Sequence, residues 1–269
     1  MQNTMQITKA MEMVAAAKLR RAQARALATR PYVNAMREAL ARVAAAAPEA
    51  AHELLEQRQE KRVLFAVIAS DKGLCGSFNS HLLTLAERRL AAMERERVAF
   101  FPIGRRACRY FEYREQPMWG SIERLGDQID FEIVREIARR ASAAFESGEV
   151  DRVEFLHYRF ISTGKREIVS DTLIPVAPAK EEAAGAEYIY EPDAPAVLDN
   201  LLPRYVTTRV LAMVADSLAS EHSARMLAMG NATRNAQEMI AELTLTANKL
   251  RQAMITKELI DIVGGSAGV

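Results

Sequence analysis

The uneven distribution of glycine and proline is the feature that most constrains the fold of this 269-residue chain. All twelve glycines lie at or after Gly73, and only Gly230 falls between Gly185 and Gly264. All nine prolines lie at or before Pro203. Because Gly and Pro disfavour helix interiors more than any other residues, the pattern predicts two long helical arms that flank a turn-rich middle segment.

A near-heptad repeat runs through the C-terminal arm, which we predict to be one helix over residues 204–263. Apolar or small side chains recur there in steps of three and four residues, at Met229, Ala232, Ala236, Met239, Leu243, Ala247, Leu250 and Met254. Two helices that bury a common stripe show this spacing. At 1.5 Å per residue the helix is roughly 90 Å long. Since no core of a chain this size is that long, the helix must also meet the other arm, another subunit or water.

The N-terminal arm shows the same steps, so an antiparallel coiled coil of the two arms is one structure that fits, and contact with another subunit or with water is the alternative. The stripe comprises Val33, Met36, Leu40, Val43, Ala47, Ala50 and Leu54, and it continues upstream through Ile7, Met11 and Val14 before Lys18 and Arg21 fall on it. Proline removes an amide donor and crowds the preceding turn. We therefore expect Pro31 to kink or locally break this helix, with Pro48 as a second weak point.

The middle of the chain alternates strand and helix patterns, which favours a mostly parallel, Rossmann-like sheet. Predicted strands cover residues 63–69, 98–103, 153–161 and 168–175, predicted helices cover 78–95, 105–114 and 131–145, and a surface loop covers 179–185. The fold class is therefore α/β, with helical arms flanking the sheet. The predicted domains are residues 1–60 (N-terminal arm), 61–194 (Rossmann-like domain) and 195–269 (C-terminal arm).

Charge is balanced over the whole chain but not within it. Lys and Arg number 36 against 35 Asp and Glu, which argues against nucleic-acid binding by the chain as a whole. Residues 1–45 are nonetheless strongly basic, and residues 181–199 contain no Lys or Arg. The basic arm is either a solvated helix face or a surface that meets an acidic partner. The sequence shows neither a secretory signal nor a bilayer-spanning run, and its two cysteines, Cys75 and Cys108, are expected to be reduced.

The turn at residues 70–77 is the one candidate for chemistry. A glycine-bearing turn between a strand and a helix is able to hold phosphate. However, Gly73 and Gly76 fit neither the dinucleotide motif nor the P-loop, in which Lys follows the glycines. The alternative is a tight turn in which Ser70 or Asp71 binds local amides. The four histidines are scattered without ligand spacing and no nucleophile elbow occurs, so no metal, cofactor or catalytic residue is predicted.

Three segments resemble the gamma subunit family of F-type ATP synthases. They are Ile-Thr-Lys-Ala-Met-Glu-Met-Val-Ala-Ala at 7–16, Ser-Asp-Lys-Gly-Leu-Cys-Gly at 70–76, and the stretch from Arg251 to Gly265, in the family's order. The resemblance implies that the middle motif, with Asp71, Lys72, Gly73, Cys75 and Gly76, is a family turn. The gamma subunit itself binds no nucleotide.

The resemblance also implies a function and partners. The arms would form the central rotor shaft inside a ring of three alpha and three beta subunits, coupling proton-driven ring rotation to changes at the beta catalytic sites. The α/β domain would sit against the epsilon subunit and the membrane ring of c subunits, without inserting into the bilayer. The expected location is the cytoplasmic face of a bacterial membrane, as a peripheral part of the complex.

Residue roles follow from the same resemblance. Contacts with beta that matter for coupling are implied for Lys9, Met11, Lys18, Arg251, Gln252, Thr256 and Glu258. Ile260, Ile262 and Val263 are expected to form an apolar bearing at the tip. Two alternatives stay open at this point: a nucleotide-dependent enzyme built on residues 70–77, and a static coiled-coil scaffold.

Overall fold

The computed structural model describes residues 1–46, 52–177 and 190–266, with the backbone alone for 260–266. The elements are α1 (Gln2–Ala46), β1 (Val63–Ile68), α2 (Phe78–Ala92), β2 (Val98–Ile103), α3 (Arg105–Glu112), α4 (Phe131–Glu146), β3 (Arg152–Phe160), β4 (Arg166–Ile174) and α5 (Ala194–Ser266). Two short 3-10 helices cover Glu53–Leu55 and Arg95–Arg97. The expected weak point at Pro48 and the expected loop at 179–185 lie outside the described residues.

The four strands form one sheet in the order β2-β1-β3-β4. β1 pairs in parallel with β2 on one side and with β3 on the other, and β4 pairs antiparallel with β3. All six residues of β1 are buried, as expected for a central strand covered on both faces. The predicted mostly parallel, Rossmann-like sheet is confirmed.

Alternate residues of β1 feed two apolar cores on opposite faces of the sheet, as the two-residue period of a strand requires. Leu64, Ala66 and Ile68 join a core that includes α4 and parts of α1 and α5. Phe65 and Val67 join a second core beneath α2 and α3. α1 and α5 therefore pack on one face of the sheet and are anchored in the larger core.

α5 begins ten residues earlier than predicted and contains Pro203. Asp193 marks its start, because the Asp193 carboxylate accepts the Ala196 amide at 2.8 Å in the manner of an N-cap. Leu198 and Leu202 are fully buried in the larger core. Burial of this apolar face offsets the loss of the intrahelical hydrogen bond that Pro203 cannot donate. The helix therefore begins before the proline, and the predicted start at residue 204 was wrong.

α1 runs without a break through Pro31, contrary to the expected local break. Ala26 and Met36, on either side of the proline, are both buried. Arg30 Nη2 donates to the Phe160 carbonyl at 2.7 Å and so fixes the helix just before the proline. These tertiary contacts outweigh the cost of one missing intrahelical hydrogen bond.

The two long helices pack antiparallel, but the buried stripe of α1 is one residue out of phase with the predicted stripe upstream of residue 33. Its buried members there are Ala15, Leu19 and Ala26. Ile7 and Val14, assigned to the stripe from sequence, are 60% and 54% exposed. Two of these three residues are alanines, and small side chains let two helices approach closely. The larger apolar residues Ile7 and Val14 gave a stronger hydrophobic signal and led to the wrong face being predicted.

α5 extends beyond the end of α1. Residues 1–3 and the part of α5 from Ile240 to Arg251 line an open groove of about 560 Å³. We call residues 239–259 the distal segment of α5. Seven of its large apolar side chains are 44–64% exposed, and Met239 and Met254 are among them. The predicted stripe is thus buried at Met229 and Ala236, whereas its large side chains from Met239 onward are exposed.

Candidate functional site: the shaft and its junction with the sheet

The turn at residues 70–77, called the junction turn below, joins the sheet to both long helices. Asp71 is its central side chain. The Asp71 carboxylate accepts the Arg105 amide at 3.0 Å, and it also accepts the amides of Leu125 at 3.1 Å and Gly126 at 2.8 Å. Asp71 therefore binds the first amide of α3 and a distant loop, rather than the local amides that the sequence suggested.

Polar groups of the junction turn and of its neighbours bind one another. Asp71 takes the amide at the start of α3, and Asn79 Oδ1 accepts the Ser70 amide at 3.2 Å. The carboxylate of Asp71 also places negative charge where a phosphate would need positive charge. The turn thus has the chemistry of a structural junction, and the interpretation as a nucleotide site loses its basis.

Gly73 and Gly76 allow the junction turn to pass close to its neighbours. A β-carbon at Gly73 would lie 2.3 Å from Arg106 Nη2, and Gly76 has a positive φ of 59°. Arg225 of α5 donates to the Gly73 carbonyl at 3.1 Å. Cys75 is free and buried beneath the turn, and burial raises its pKa, which makes it an unreactive thiol.

A buried charged group of α5 supports the turn from below. Arg225 Nη2 donates to Glu221 Oε1 at 2.7 Å, and both residues are less than 10% exposed. Burial raises the pKa of Glu221 to about 7, although Arg225 opposes the shift. Burial likewise lowers the pKa of His222 to about 4, and this ring lies 3.3 Å from the Asp127 carbonyl. The spacing of Glu221 and Arg225, one helical turn apart, was the sequence signal for this pair.

A loop carboxylate joins α1 to the same junction. Lys18 Nζ and Lys72 Nζ each lie 2.7 Å from Asp127 Oδ2. Burial opposes ionisation of Asp127, but the hydrogen bonds from the two lysines outweigh it and lower its pKa to about 2. Sequence analysis did not select Asp127, because no local pattern indicates that residues 18, 72 and 127 meet.

Comparison with known proteins identifies the family. A sequence model of the ATP synthase family matches residues 1–269. The ATP synthase gamma chain of Desulforamulus reducens is 44% identical over 271 residues, which is 99% of this chain and 94% of that protein. The gamma chain of Heliobacterium modesticaldum is 40% identical over 276 residues, with the same coverage of both proteins. The chain belongs to the ATP synthase gamma chain family.

Solved structures agree with this assignment. The central stalk of the Tetrahymena thermophila mitochondrial ATP synthase has a TM-score of 0.65 at 25% identity, over 84% of this chain and 99% of that one. The rotor of the Euglena gracilis mitochondrial ATP synthase has a TM-score of 0.67 over 94% of each chain, and at 19% identity it supports the fold alone. The family resemblance found in the sequence is confirmed. Among the described residues, no helix has the length and apolar character needed to cross a bilayer.

In this gamma-chain family member, the N-terminal residues singled out from sequence lie in two settings. Lys9 is exposed and pairs with Glu12 of its own helix at 3.1 Å. Met11 lines a groove of about 510 Å³ that extends to Leu74 and Arg225. Lys18 points at Asp127 and is only partly exposed. The structure thus brings Met11 and Lys18 together with the junction turn and leaves Lys9 outside it.

The C-terminal residues singled out from sequence all lie on the distal segment of α5. Arg251, Gln252, Thr256 and Glu258 are exposed. At 100° per residue, Arg251 and Glu258 project from nearly the same side, and Gln252 lies about a quarter-turn away. Thr256 Oγ1 donates to the Gln252 carbonyl at 2.9 Å, so its hydroxyl is bonded within the helix. Ile260, Ile262 and Val263 lie in the last turns of α5, and their side chains are outside the described residues.

Proposed function

We propose that the chain is the central rotor shaft of a proton-translocating F-type ATP synthase. The distal segment of α5 would stand inside a ring of three alpha and three beta subunits. The sheet domain would bear on the epsilon subunit and the c-subunit ring. The chain would carry rotation from the ring to the beta catalytic sites, and thereby control ATPase activity and proton flow, without catalysing a reaction itself.

The exposed apolar surface of the distal segment carries this proposal. Leu243, Leu250, Met254, Ile255 and Leu259 are each at least half exposed on the distal segment of α5. Large apolar side chains grouped on one exposed element mark a surface that a partner covers. An enclosing sleeve of subunits accounts for this surface, and family membership supports that partner.

Contacts with beta that matter for coupling are proposed for Lys9, Met11, Lys18, Arg251, Gln252, Thr256 and Glu258, and an apolar bearing for Ile260, Ile262 and Val263. The exposure of Arg251, Gln252 and Glu258 supports this assignment, because their side chains are open to solvent among the described residues. Exposed ion pairs contribute about 0–1 kcal/mol each, which is weak enough to be exchanged as a shaft turns. Apolar contacts at the tip would hold the axle laterally without directional bonds.

We also propose that the chain lies at the cytoplasmic face of a bacterial membrane as a peripheral subunit. The gamma chains of Desulforamulus reducens and Heliobacterium modesticaldum, which are bacterial relatives, support this location. Membrane vesicles that retain the ATP synthase should carry the chain, and a wash that strips the peripheral subunits should release it together with alpha and beta.

Rotation in an assembled complex tests the proposed function. The chain is assembled with alpha, beta and epsilon subunits from the same source, the beta subunits are fixed to a surface, and a bead is attached through Tyr113→Cys, a site 86% exposed near the end of α3. The rotor proposal expects stepwise turning of the bead with ATP. An assembled complex that hydrolyses ATP while the bead stays fixed would support a static scaffold instead.

The two polar residues at the start of the family-like stretch 251–265 provide a sharper test. The double variant Arg251→Ala/Gln252→Ala should lower coupled ATP turnover in the complex and leave the unfolding curve of the chain unchanged, since both side chains are exposed. Arg135→Ala is the control, because it removes an exposed arginine from α4. Turnover equal to that of the control over a range of loads would remove these two residues from the coupling surface.

Calorimetry distinguishes the proposed rotor shaft from the alternative hypothesis of a nucleotide-dependent enzyme. ATP and NAD are titrated in turn into the purified chain. The proposal expects no binding heat, because Asn79 already binds the Ser70 amide of the junction turn and the Asp71 carboxylate already binds the Arg105 amide. Saturable binding that Gly73→Val abolishes would favour the enzyme.

A further inference from the structure

The segment 124–130, called the strap below, is built to hold α1 against the sheet domain. Leu125 is 3% exposed, and Ile129 packs against the larger core, so both flanks of the strap are anchored. The amides of Leu125 and Gly126 are held by Asp71. Gly126 has a positive φ of 86°, which suits the tight turn just before Asp127. Asp127 is therefore presented by a fixed backbone.

The strap contacts three separate parts of the chain through Asp127. Its carboxylate pairs with Lys18 of α1 and Lys72 of the junction turn, both at 2.7 Å. Its carbonyl lies 3.3 Å from His222 of α5. Next to these contacts, a small cavity of about 70 Å³ lies between the strap, Ala22 of α1 and Leu218 of α5. One residue thus links both shaft helices to the sheet domain.

The direction from which Asp127 holds α1 matters for the transmission of torque through the helix. Leu19, the neighbour of Lys18, packs against Phe160 and Ala219. Adjacent helical residues project about 100° apart, so α1 is held at this level from two directions. A helix held along one stripe is able to roll about its own axis, and a second restraint at a wide angle prevents this roll.

We propose that Asp127 is a positioning residue that locks the roll of α1 and so stiffens the shaft against twisting where it leaves the sheet domain. The inference rests on the proposed rotor function. Asp127 acts through Lys18 and Lys72. Without its charge, part of the applied rotation is lost in rolling of α1.

A matched control is present on α4. Glu136 is also a partly exposed carboxylate that holds two basic side chains, Arg139 at 2.8 Å and Arg140 at 2.6 Å. Both partners lie on the same helix as Glu136, so this cluster does not connect the domain to the shaft. Asp127→Asn and Glu136→Gln remove the same charge by a near-isosteric change, and only the first reaches α1.

The test measures the angular spread of the Tyr113→Cys bead in the rotating complex while it waits for ATP. Asp127→Asn should widen the spread relative to Glu136→Gln, at equal unloaded ATP turnover. Asp127→Glu, which keeps the charge, should retain the wild-type spread. Equal spreads for Asp127→Asn and Glu136→Gln would contradict the role proposed for Asp127 but would leave the proposed rotor function unaffected. A wild-type complex that never rotates would overturn the proposed function instead.

Hydrogen exchange on the full chain gives a second readout that does not need rotation. Asp127→Asn should speed exchange at the Leu125 and Gly126 amides and in the turn of α1 around Lys18 by about two- to fivefold, as expected when partly exposed ion pairs that hold a local structure are lost. Glu136→Gln should leave these amides unchanged. Unchanged exchange in Asp127→Asn would show that the pairs hold nothing in place and would overturn the inference.

Discussion

The hydroxyl oxygens of Thr8 and Thr233 lie 2.9 Å apart across the interface between α1 and α5. Thr233 is 4% exposed, and its hydroxyl is also within 2.9 Å of the Met229 carbonyl. This contact joins residues 225 positions apart in the sequence. A polar pair in an apolar stripe favours one register, because an axial shift would separate the two hydroxyls.

Thr233→Val should lower the free energy of unfolding by about 1 kcal/mol, the usual net value of one buried hydrogen bond. Urea unfolding of the full chain measures the change. Thr246→Val is the control, since Thr246 is exposed and bonds only the Glu242 carbonyl of its own helix. Equal effects of the two substitutions would show that the Thr8 contact does not contribute.

Gly230→Ala should stabilise the chain by up to ~1 kcal/mol, the difference in helix propensity between the two residues. Gly230 lies inside α5, and a β-carbon there would be 3.4 Å from the flexible carboxyl end of Glu12. Thermal unfolding should shift upward. A lower melting temperature would mean that Glu12 cannot move aside.

Gly104→Ala should have the opposite effect. Its β-carbon would lie 2.2 Å from the Ala69 carbonyl oxygen, and φ is 93°. Because backbone cannot yield as a side-chain end does, we expect a loss of roughly 2 kcal/mol or more. The same unfolding measurement checks it, and a loss as small as that of an exposed surface substitution would contradict the close approach of Gly104 to Ala69.

The pH dependence of stability should reveal two opposing groups. Burial raises the pKa of Glu221 from 4.5 to about 7. The stability that this group contributes is therefore fully present below pH 4.5 and is lost as the pH rises through 7. His222 has its pKa lowered by burial from 6.5 to about 4, so its contribution is full above pH 6.5 and is lost as the pH falls through 4. Between these limits the two slopes offset each other.

Single substitutions should expose each slope. In His222→Gln, the free energy of unfolding should fall as the pH rises from about 4.5 to about 7, by ~3 kcal/mol at most. In Glu221→Gln it should instead rise with pH between about 4 and about 6.5. Urea unfolding at half-unit pH steps measures both, and slopes of the same sign in the two variants would contradict the assignment.

Leu250→Gln/Met254→Gln should separate folding from assembly. Both side chains are more than 60% exposed, so the stability of the chain should change by no more than ~0.5 kcal/mol. Its recovery in a complex with alpha and beta should fall, because a covered apolar surface has become polar. Met229→Gln, at a position 6% exposed, should instead destabilise the chain itself by roughly 2 kcal/mol or more.

The sheet domain could be predicted closely because its signals are local. Residues 98–103 were predicted as a strand and form β2 with the same bounds, and the continuous apolar run at 63–69 contains β1. Strand periodicity and glycine-bearing turns do not depend on distant contacts. The start of α5 was harder to predict, since the helix continues through Pro203 only because Leu198 and Leu202 are buried in the larger core.

The shaft stripe and the junction could be predicted only in part. Ala15, Leu19 and Ala26 form a stripe of mostly small residues, whereas Ile7 and Val14 give a stronger hydrophobic signal on the wrong face. The meeting of Lys18, Lys72 and Asp127 depends on the fold as a whole. The roles assigned to Arg251, Gln252, Thr256 and Glu258 come from family resemblance, and they stay predictions.

The small side chains between the long helices set the thickness of the pair. Ala15 and Ala26 of α1 are buried where larger residues would hold the helices apart, and Gly230 of α5 lies beside Glu12. Packed helices have axes about 8–10 Å apart depending on the residues in contact, and alanine and glycine favour the lower end. A pair packed through such residues is more slender than a pair packed through leucines, so it passes through a narrower opening.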